Sequence, residues 1–552
     1  MDDLPGLLHA VQRGALSRRD FIAQAAALGL STSGAAALFT RYTEAAEAAA
    51  TRSPQRGGTL IFGAELVEQT LEPTIWQDWA SWMALTNIAD RLVYHDFRNP
   101  TSLQPMLATK WFVSADGLTW TFDLRRGVTF HDGTPFTAEA VKVAFDRQLN
   151  PKDPLAYPGN YTASSTLPHA KEVRIVHDHR VQIILGSPDA AQPARLIHPA
   201  ASILSPAAIR KYGGKKIGLH PVGSGPFIFE SIQPGSQISI KANPRYWGGA
   251  PYLDRVVIQG IPDEATLAAG LMAGSIGLTD FAPISQIPQF KSNPALRVAL
   301  APPAVTVFLA LNALFKPLNN KLVRQAINFA VNRDTVVRVV FPYGTGVAPA
   351  GIVTPNMWTY FPALQRMGHY DPHRAKSLLK RAGLARGFKA VLQVQNTSYW
   401  PLLGQVLQAD LARVGIDVTL QKLEAGTFWS GIFAGKSMMS VTTRTSLVPD
   451  PDDFLTPILR SDQQLAQKQT ANSTYPDAHT LDHELNGALA TTNLAVRKQD
   501  YLKIQQRLLD DVPYVYLAYV RLPVVMSSKV HDVDVGALGS YQLYLHRTWM
   551  SP

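Results

Sequence analysis

The chain has 552 residues, which is enough for two or three domains with full cores. Hydrophobic residues make up 46% and charged residues 17%, a composition that excludes a disordered or fibrous protein. The net charge is +10, but Lys and Arg are scattered with no run of four, so we expect no nucleic-acid partner. The absence of cysteine excludes disulfides, thiolate metal sites, a cysteine nucleophile and a lipid anchor on cysteine.

The N-terminal segment has the pattern of an export signal. Arg18 and Arg19 lie in a segment that resembles the twin-arginine export motif, and a weakly apolar stretch follows over 22–39. Gln24 and three hydroxyl residues at 31–33 interrupt this stretch, whereas a membrane-spanning helix needs about 20 predominantly apolar residues. The pattern therefore favours export over a membrane anchor.

Small residues indicate where such a signal would end. Ala46-Glu47-Ala48 fits a cleavage site, with a second option after Ala50. We predict a signal peptide over 1–50 and a periplasmic mature protein, exported by the twin-arginine route and not lipid-anchored. Cleavage would remove four Lys and Arg and five Asp and Glu, so the mature net charge would be +11.

The first predicted elements are strands. Thr59–Phe62 reads as a buried strand, and Trp120–Leu124 alternates apolar and polar residues as a half-buried strand does. Asp132-Gly133 predicts a turn, and Thr137 predicts the cap of a helix. That helix has one apolar face, formed by Val141, Phe145 and Leu149.

Four more amphipathic helices follow. Their apolar faces include Leu322, Ala326, Phe329 and Ala330; Leu378 and Leu379; Val406, Leu407 and Leu411; and Tyr501, Ile504 and Leu508. The second of these helices has a cap at Asp371, Pro372 in its first turn and Gly383 at its end. Strands are predicted over 416–420 and 514–519, so strands and helices are mixed and the predicted class is α/β.

One segment carries a family resemblance. Residues Ala115 to Val141, which include the strand and the Asp-Gly turn, strongly resemble the signature of the extracellular solute-binding proteins of family 5. That family includes peptide, nickel and opine receptors of ABC importers. Five more segments fit in the expected order: Gly57 to Gly63, Pro221 to Phe227, Asn243 to Trp247, Val323 to Ile327 and Tyr370 to Ala375. For most of these segments we expect structural roles, with Tyr246 and Trp247 packing in the interior.

The resemblance implies a two-lobed periplasmic-binding-protein (Venus-flytrap) fold, with mixed sheets and an extra subdomain in the first lobe. The limits we predict are 57–305 for lobe I with its subdomain at about 87–204, 306–520 for lobe II, and 521–552 for a C-terminal return to lobe I. Such a protein closes its lobes on a small ligand and docks on permease subunits in the inner membrane. We expect a monomer without a cofactor, and not an enzyme.

Ligand recognition in peptide-binding relatives uses an acidic residue about three positions before an Asp-Pro-Asp element, which holds the α-amino group. Here that position is Leu447, which cannot pair with an ammonium group. Arg444 stands where relatives carry an aromatic residue, and its guanidinium suits a carboxylate or phosphate. Arg444 could also be a surface strand residue. Asp450 could replace the missing acid, or Asp450 and Asp452 could cap a helix near Phe454.

Aromatic side chains are the other candidates for ligand contact. Trp76 and Trp79, with Trp82, follow the first strand, although their spacing also fits a buried helix face. Tyr399, Trp400 and Trp429 fall in the second lobe. We expect one or two of these aromatics to contact the ligand.

Two other functions stay open as alternatives. A nickel or metal-chelate receptor would share the fold, and His177 with His179 or His479 with His483 has metal-ligand spacing. A secreted hydrolase could use Asp450, Asp452 or Asp453 as paired carboxylates, but no Gly-x-Ser-x-Gly or His-Glu-x-x-His motif is present. The sequence favours a receptor for an opine-like, sugar-conjugated or amine-blocked peptide-like ligand.

Overall fold

The computed structural model describes residues 53–75, 78–95, 102–158, 163–445, 447–461, 478–535 and 543–552, with 7, 16–27 and 31–40 near the N-terminus. The chain divides into two compact units, Met1–Arg56 and Gly57–Pro552.

In the first unit, a helix over Arg18–Ala27 contains both arginines of the predicted export motif. The predicted cleavage positions lie outside the described residues. No helix within the described ranges is both long enough and apolar enough to span a bilayer.

The second unit contains most of the secondary structure. Its strands are β1 (Thr59–Ala64), β2 (Val93–His95), β3 (Leu103–Pro105), β4 (Ala108–Val113), β5 (Thr119–Leu124), β6 (Ala170–His177), β7 (Arg180–Leu185), β8 (Phe227–Gln233), β9 (Gln237–Ala242), β10 (Arg255–Gly260), β11 (Leu278–Thr279), β12 (Leu296–Leu300), β13 (Val305–Leu311), β14 (Gly346–Val347), β15 (Phe388–Gln395), β16 (Ile416–Leu423), β17 (Met439–Thr445), β18 (Tyr514–Val520), β19 (Pro523–Ser527), β20 (Val530–His531) and β21 (Trp549–Met550).

The α-helices of this unit alternate with the strands. They are α1 (Trp79–Ile88), α2 (Ala138–Leu149), α3 (Ala163–Thr166), α4 (Gln192–Arg195), α5 (Pro206–Tyr212), α6 (Glu264–Ala273), α7 (Ile287–Ser292), α8 (Lys321–Ala330), α9 (Arg333–Thr335), α10 (Pro372–Arg381), α11 (Trp400–Ala412), α12 (Ala425–Phe433), α13 (Pro451–Leu459), α14 (Ala478–Leu489) and α15 (Leu494–Asp511). A π-helical turn covers Val336–Val340, and short 3₁₀ turns cover Pro199–Ala201, Ile217–Leu219, Ile284–Gln286, Pro362–Gly368 and Leu545–Arg547.

The first lobe is built on a mixed seven-stranded sheet with the order β12-β19-β11-β1-β10-β9-β8. The strand β1 pairs in parallel with β10 and β11, and its Leu60 and Phe62 are buried in the core of this lobe. A four-stranded antiparallel sheet, β4-β5-β7-β6, forms the subdomain beside it, with α2 packed on its β6. Val141 and Phe145 of α2 are buried in the subdomain core, as the helical periodicity predicts.

The second lobe is built on a six-stranded mixed sheet with the order β14-β18-β13-β17-β15-β16. The seven residues of β13 are all buried, which suits its position between two antiparallel neighbours. The parallel pair β15 and β16 is joined through α11, whose buried Leu403, Leu407 and Leu411 face the sheet core.

The chain crosses between the lobes at two places that touch each other. Segment 301–304 leads from β12 to β13, and segment 521–522 leads from β18 to β19. The Ala301 amide donates to the Leu522 carbonyl at 2.9 Å, so the two crossings are hydrogen-bonded side by side. We retain the sequence-based domain limits as our proposal, because these crossings fall next to residues 305 and 520.

Local sequence signals explain where several elements begin and end. Asp371 caps α10 by accepting from the Arg374 amide at 2.8 Å, and Gly383 follows the helix with φ +78°. Thr137 occupies the N-cap position of α2, but its side chain makes no capping bond. The amide of Ala138, the first residue of α2, donates to the Asp178 carbonyl at 2.8 Å, so a residue outside the helix satisfies it.

The family-signature segments meet around one buried carboxylate. Asp90 accepts from the Trp247 indole at 2.7 Å, the Ser224 hydroxyl at 2.9 Å and the Tyr246 hydroxyl at 3.1 Å. A Cβ on Gly223 would lie 2.1 Å from the Ile88 carbonyl oxygen, so only glycine fits this approach. Tyr246 is buried, as predicted, and these segments hold the scaffold together.

Candidate functional site

The first-lobe wall of the candidate cleft begins where β1 ends. Glu65 follows β1 directly and its side chain is exposed to solvent. Desolvation by the surrounding protein nevertheless raises the pKa of Glu65, and the carboxylates of Glu264, Asp280 and Asp78 raise it further. The Glu65 side chain therefore reaches solvent at a place where other protein groups surround its carboxylate.

Asp78 extends this wall at the start of α1. Its Oδ1 accepts from the Ala80 and Ser81 amides at 2.8 and 3.1 Å, so it caps the helix. Burial raises the pKa of Asp78 despite these bonds. Burial also raises the pKa of nearby Glu68, and Asp78 adds to the effect. We call Glu65, Glu68 and Asp78 the acidic wall.

Tyr399 faces the acidic wall from the second lobe. Burial raises the pKa of the Tyr399 hydroxyl, and the Glu65 carboxylate raises it further, which shows that the two side chains are near each other. Its ring packs edge-on against Phe341, with centroids 4.9 Å apart, and lies at a tilt of 38° to the Trp400 ring, with centroids 4.6 Å apart. The candidate cleft therefore lies between the end of β1 and the start of α11.

The loop after β17 is the second part of the site. Arg444 is half-buried on β17, opposite Thr306 of β13, and its guanidinium donates to the Asp453 carbonyl. Within the part of the chain that the structure describes, its Nε has no hydrogen-bond partner. Leu447 is buried and its amide donates to Asp453 Oδ2 at 2.8 Å.

His198 approaches this loop from the first-lobe side. Burial lowers its pKa to about 4, and Arg91 and Arg444 also lower it, against the opposing effect of Asp453. Its Nδ1 accepts from the Ala200 amide at 3.0 Å, which fits a neutral ring. His198 also contacts Trp82 edge-on, with ring centroids 5.4 Å apart.

The aspartates of the loop are each held by a protein partner. Asp450 is the N-cap of α13, accepts from the Asp452 amide at 3.1 Å, and pairs with Arg497 at 2.9 Å. Asp452 pairs with Arg195 of α4. The helix-capping interpretation of Asp450 is therefore the one the geometry supports, and this carboxylate is already compensated.

The remaining candidate aromatics are distributed more widely. Trp79 begins α1 and is 38% exposed, and Trp76 lies outside the described residues. Trp400 is half-buried against the second-lobe core. Trp429 lies on α12, where it stacks on Phe433 at 5.7 Å. Tyr399 is the predicted aromatic for which an electrostatic effect of the acidic wall, from Glu65, is resolved.

No group of three or more His, Asp or Glu side chains within the described ranges is arranged to hold a metal ion. His177 Nδ1 accepts from the His179 amide at 3.2 Å on an exposed hairpin. The His479 side chain lies outside what the structure describes.

Sequence reasoning missed the acidic wall and His198. The position of Glu65, directly after the first strand, is the one available signal, because strand ends line clefts in α/β proteins. His198 has no comparable signal, since its neighbours at the site come from distant parts of the chain.

Comparison with known proteins agrees with this architecture. Residues 102–465 match the model of bacterial extracellular solute-binding proteins, family 5. The glutathione-binding protein GsiB of Pectobacterium atrosepticum is 33% identical over 79% of this chain and 84% of its own length.

Solved structures extend the similarity to the fold. The periplasmic binding protein DppA of Helicobacter pylori, in complex with peptide STSA, has a TM-score of 0.79 and 30% identity over 90% of this chain and 99% of its own. AgaA from A. tumefacien R10, in complex with agropinic acid, has a TM-score of 0.77 and 25% identity over 90% and 99%. The chain belongs to family 5 of the bacterial extracellular solute-binding proteins.

Proposed function

We propose that the protein is the periplasmic receptor of an ABC importer, which captures a small peptide-like, opine or sugar-conjugate ligand between its lobes as a monomer. The relatives are described as binding proteins for glutathione, a peptide and agropinic acid, which supports a binding role without chemical conversion. Its ligand would be enclosed between the acidic wall and the Arg444 loop, because differential contact with both lobes drives closure.

The second lobe, in this proposal, does not recognise a free α-amino group. The observation that carries this statement is the buried Leu447 in a loop whose aspartates are already engaged. An ammonium group placed there would lose its hydration without gaining a partner, which costs several kcal/mol. Arg444, with an unsatisfied Nε among the described residues, favours an anionic group of the ligand instead.

Calorimetry with matched ligands tests the proposal. We expect the dipeptide Met-Leu and its N-acetylated form to bind with affinities within about threefold of each other, or the acetylated form to bind more tightly. Strong binding of the free amine that acetylation abolishes would contradict this. The acidic wall would then be the part of the site that binds the ligand's α-amino group, since Asp450 is paired with Arg497.

The role of Arg444 has its own test. Arg444→Ala should weaken the binding of an anionic ligand such as agropinic acid by about tenfold or more, if such a ligand binds. A change of less than about twofold would make Arg444 a bystander.

A further inference from the structure

A chain of ion pairs joins the two sides of the cleft through Asp452, at the end of the loop that follows β17. Arg195 Nε, in α4 of the subdomain, donates to Asp189 Oδ2 at 2.8 Å, and its Nη2 donates to Oδ2 of Asp452 on α13. We call Asp189, Arg195 and Asp452 the interlobe bridge. Their side chains are at most 4% exposed, so one buried guanidinium is ion-paired with both carboxylates.

The two ends of the bridge belong to different lobes. Leu196 and Ile197, next to Arg195, are buried in the core of the four-stranded subdomain of the first lobe. Phe454 and Leu455, next to Asp452, are buried with the β13 and β18 side chains of the second lobe. The Ala190 amide also donates to the Leu489 carbonyl at 2.9 Å, so the same surfaces meet at a second point.

Separation of the lobes affects the two carboxylates of the interlobe bridge differently. Burial alone would raise the pKa of Asp452, but Arg195 and the Thr456 hydroxyl hold it below its ordinary value, so the carboxylate is charged while Arg195 contacts it. When the lobes separate, Arg195 keeps Asp189, and water can solvate Asp452. Removal of Arg195 therefore takes the partner of Asp189 in both forms, but it leaves Asp452 buried without this partner in the closed form only.

We propose that the interlobe bridge is a closure latch. Arg195 sets the fraction of the protein that is closed, and through that fraction the apparent ligand affinity, while its guanidinium is occupied by Asp189 and Asp452 and not by ligand. The effect on affinity rests on the proposed function, whereas the effect on closure does not.

Spin-label distances between the lobes test the latch in the ligand-free protein. Spin labels can be attached at two introduced cysteines, Val176→Cys on β6 and Val496→Cys on α15, both at exposed positions. Because the chain has no cysteine of its own, the labels react at these two positions alone. The variants to compare are Arg195→Met and Asp452→Asn, the second of which leaves a neutral Asp189–Arg195 pair. Arg147→Met is the matched control, because its buried pair with Glu72 lies within the first lobe.

We expect Arg195→Met and Asp452→Asn to lower the ratio of closed to open protein about tenfold or more, while Arg147→Met leaves it unchanged. Unchanged distance distributions in both bridge variants, or a wild-type protein that is fully open without ligand, would overturn the latch. Failure of the proposed function would give a different result. The distances between the two spin labels would still change in Arg195→Met, but no small molecule would change them in the wild type.

Discussion

At the scale of single residues, His198 makes the stability of the protein depend on pH. Its folded-state pKa of about 4 lies below the ordinary value of 6.5, because burial disfavours the imidazolium. The unfolded chain binds a proton below pH 6.5 and the folded protein does not, so stability is lost as the pH falls from 6.5 towards 4. The expected loss from this group is about 1.4 kcal/mol per pH unit.

The measurement is urea unfolding of the wild type and His198→Asn at several values between pH 7 and 4.5. The side-chain oxygen of Asn can accept the hydrogen bond of the Ala200 amide in place of His198 Nδ1, but Asn does not titrate. The difference in unfolding free energy between the two proteins should shrink steadily with acidification. Parallel curves across this range would show that His198 does not carry the pH dependence.

Residue identity alone indicates part of the candidate site. The absence of an acid at Leu447 and the presence of Arg444 are visible in the sequence, because a motif places them. Their partners were not predictable, since Arg195 and Arg497 lie 257 and 47 positions from the aspartates that they bind. Whether Asp450 is free or paired depends on such contacts, which only the folded chain provides.

At the scale of elements, α13 is fixed to α15 by the buried pair of Asp450 and Arg497. The Arg497 side chain is 3% exposed and also donates to the Ala488 carbonyl at 2.9 Å. Arg497→Met should therefore lower the unfolding free energy by about 3–5 kcal/mol, because it leaves a buried carboxylate without its counter-charge.

Lys503→Met on the same helix is the matched control for this prediction. Lys503 pairs with Asp500 at 3.2 Å but is 71% exposed, so its loss should cost less than about 1 kcal/mol. Denaturant unfolding of both variants gives the comparison. Equal costs for the two substitutions would show that burial of the Asp450–Arg497 pair is not what stabilises α13.

Elements with local signals were the ones the sequence predicted well. Asp371, Pro372 and Gly383 define α10 through their own backbone geometry, and the structure confirms the helix. At α2, Thr137 occupies the predicted N-cap position without a side-chain capping bond, and the Ala138 amide donates to the Asp178 carbonyl of another element. Local patterns define helix limits, while tertiary contacts decide which groups satisfy them.

At the scale of the whole molecule, net charge is a poor guide to the field in the cleft. The predicted mature charge of +11 favours anionic ligands at long range. The acidic wall gives the opposite local field on the first lobe, and Arg444 is positive on the second. Composition gives only the sum of these charges, so the positions of the negative and positive groups around the cleft could be found only from the structure.

Export by the twin-arginine route is a proposal that belongs to this scale. Arg18→Lys combined with Arg19→Lys should abolish the periplasmic pool, because that route requires the arginine pair. Fractionation followed by N-terminal sequencing of the wild type should give a mature protein beginning after Ala48 or Ala50. Undiminished export of the double variant would show that another route is used.

The central claim is that the protein captures a small ligand between its lobes and does not change it. Native mass spectrometry of protein purified from its own periplasm tests this claim most directly. The account predicts a complex of one protein chain with one small molecule, and a released molecule that keeps its mass after incubation with the pure protein. Conversion of that molecule into a product of different mass would contradict the account.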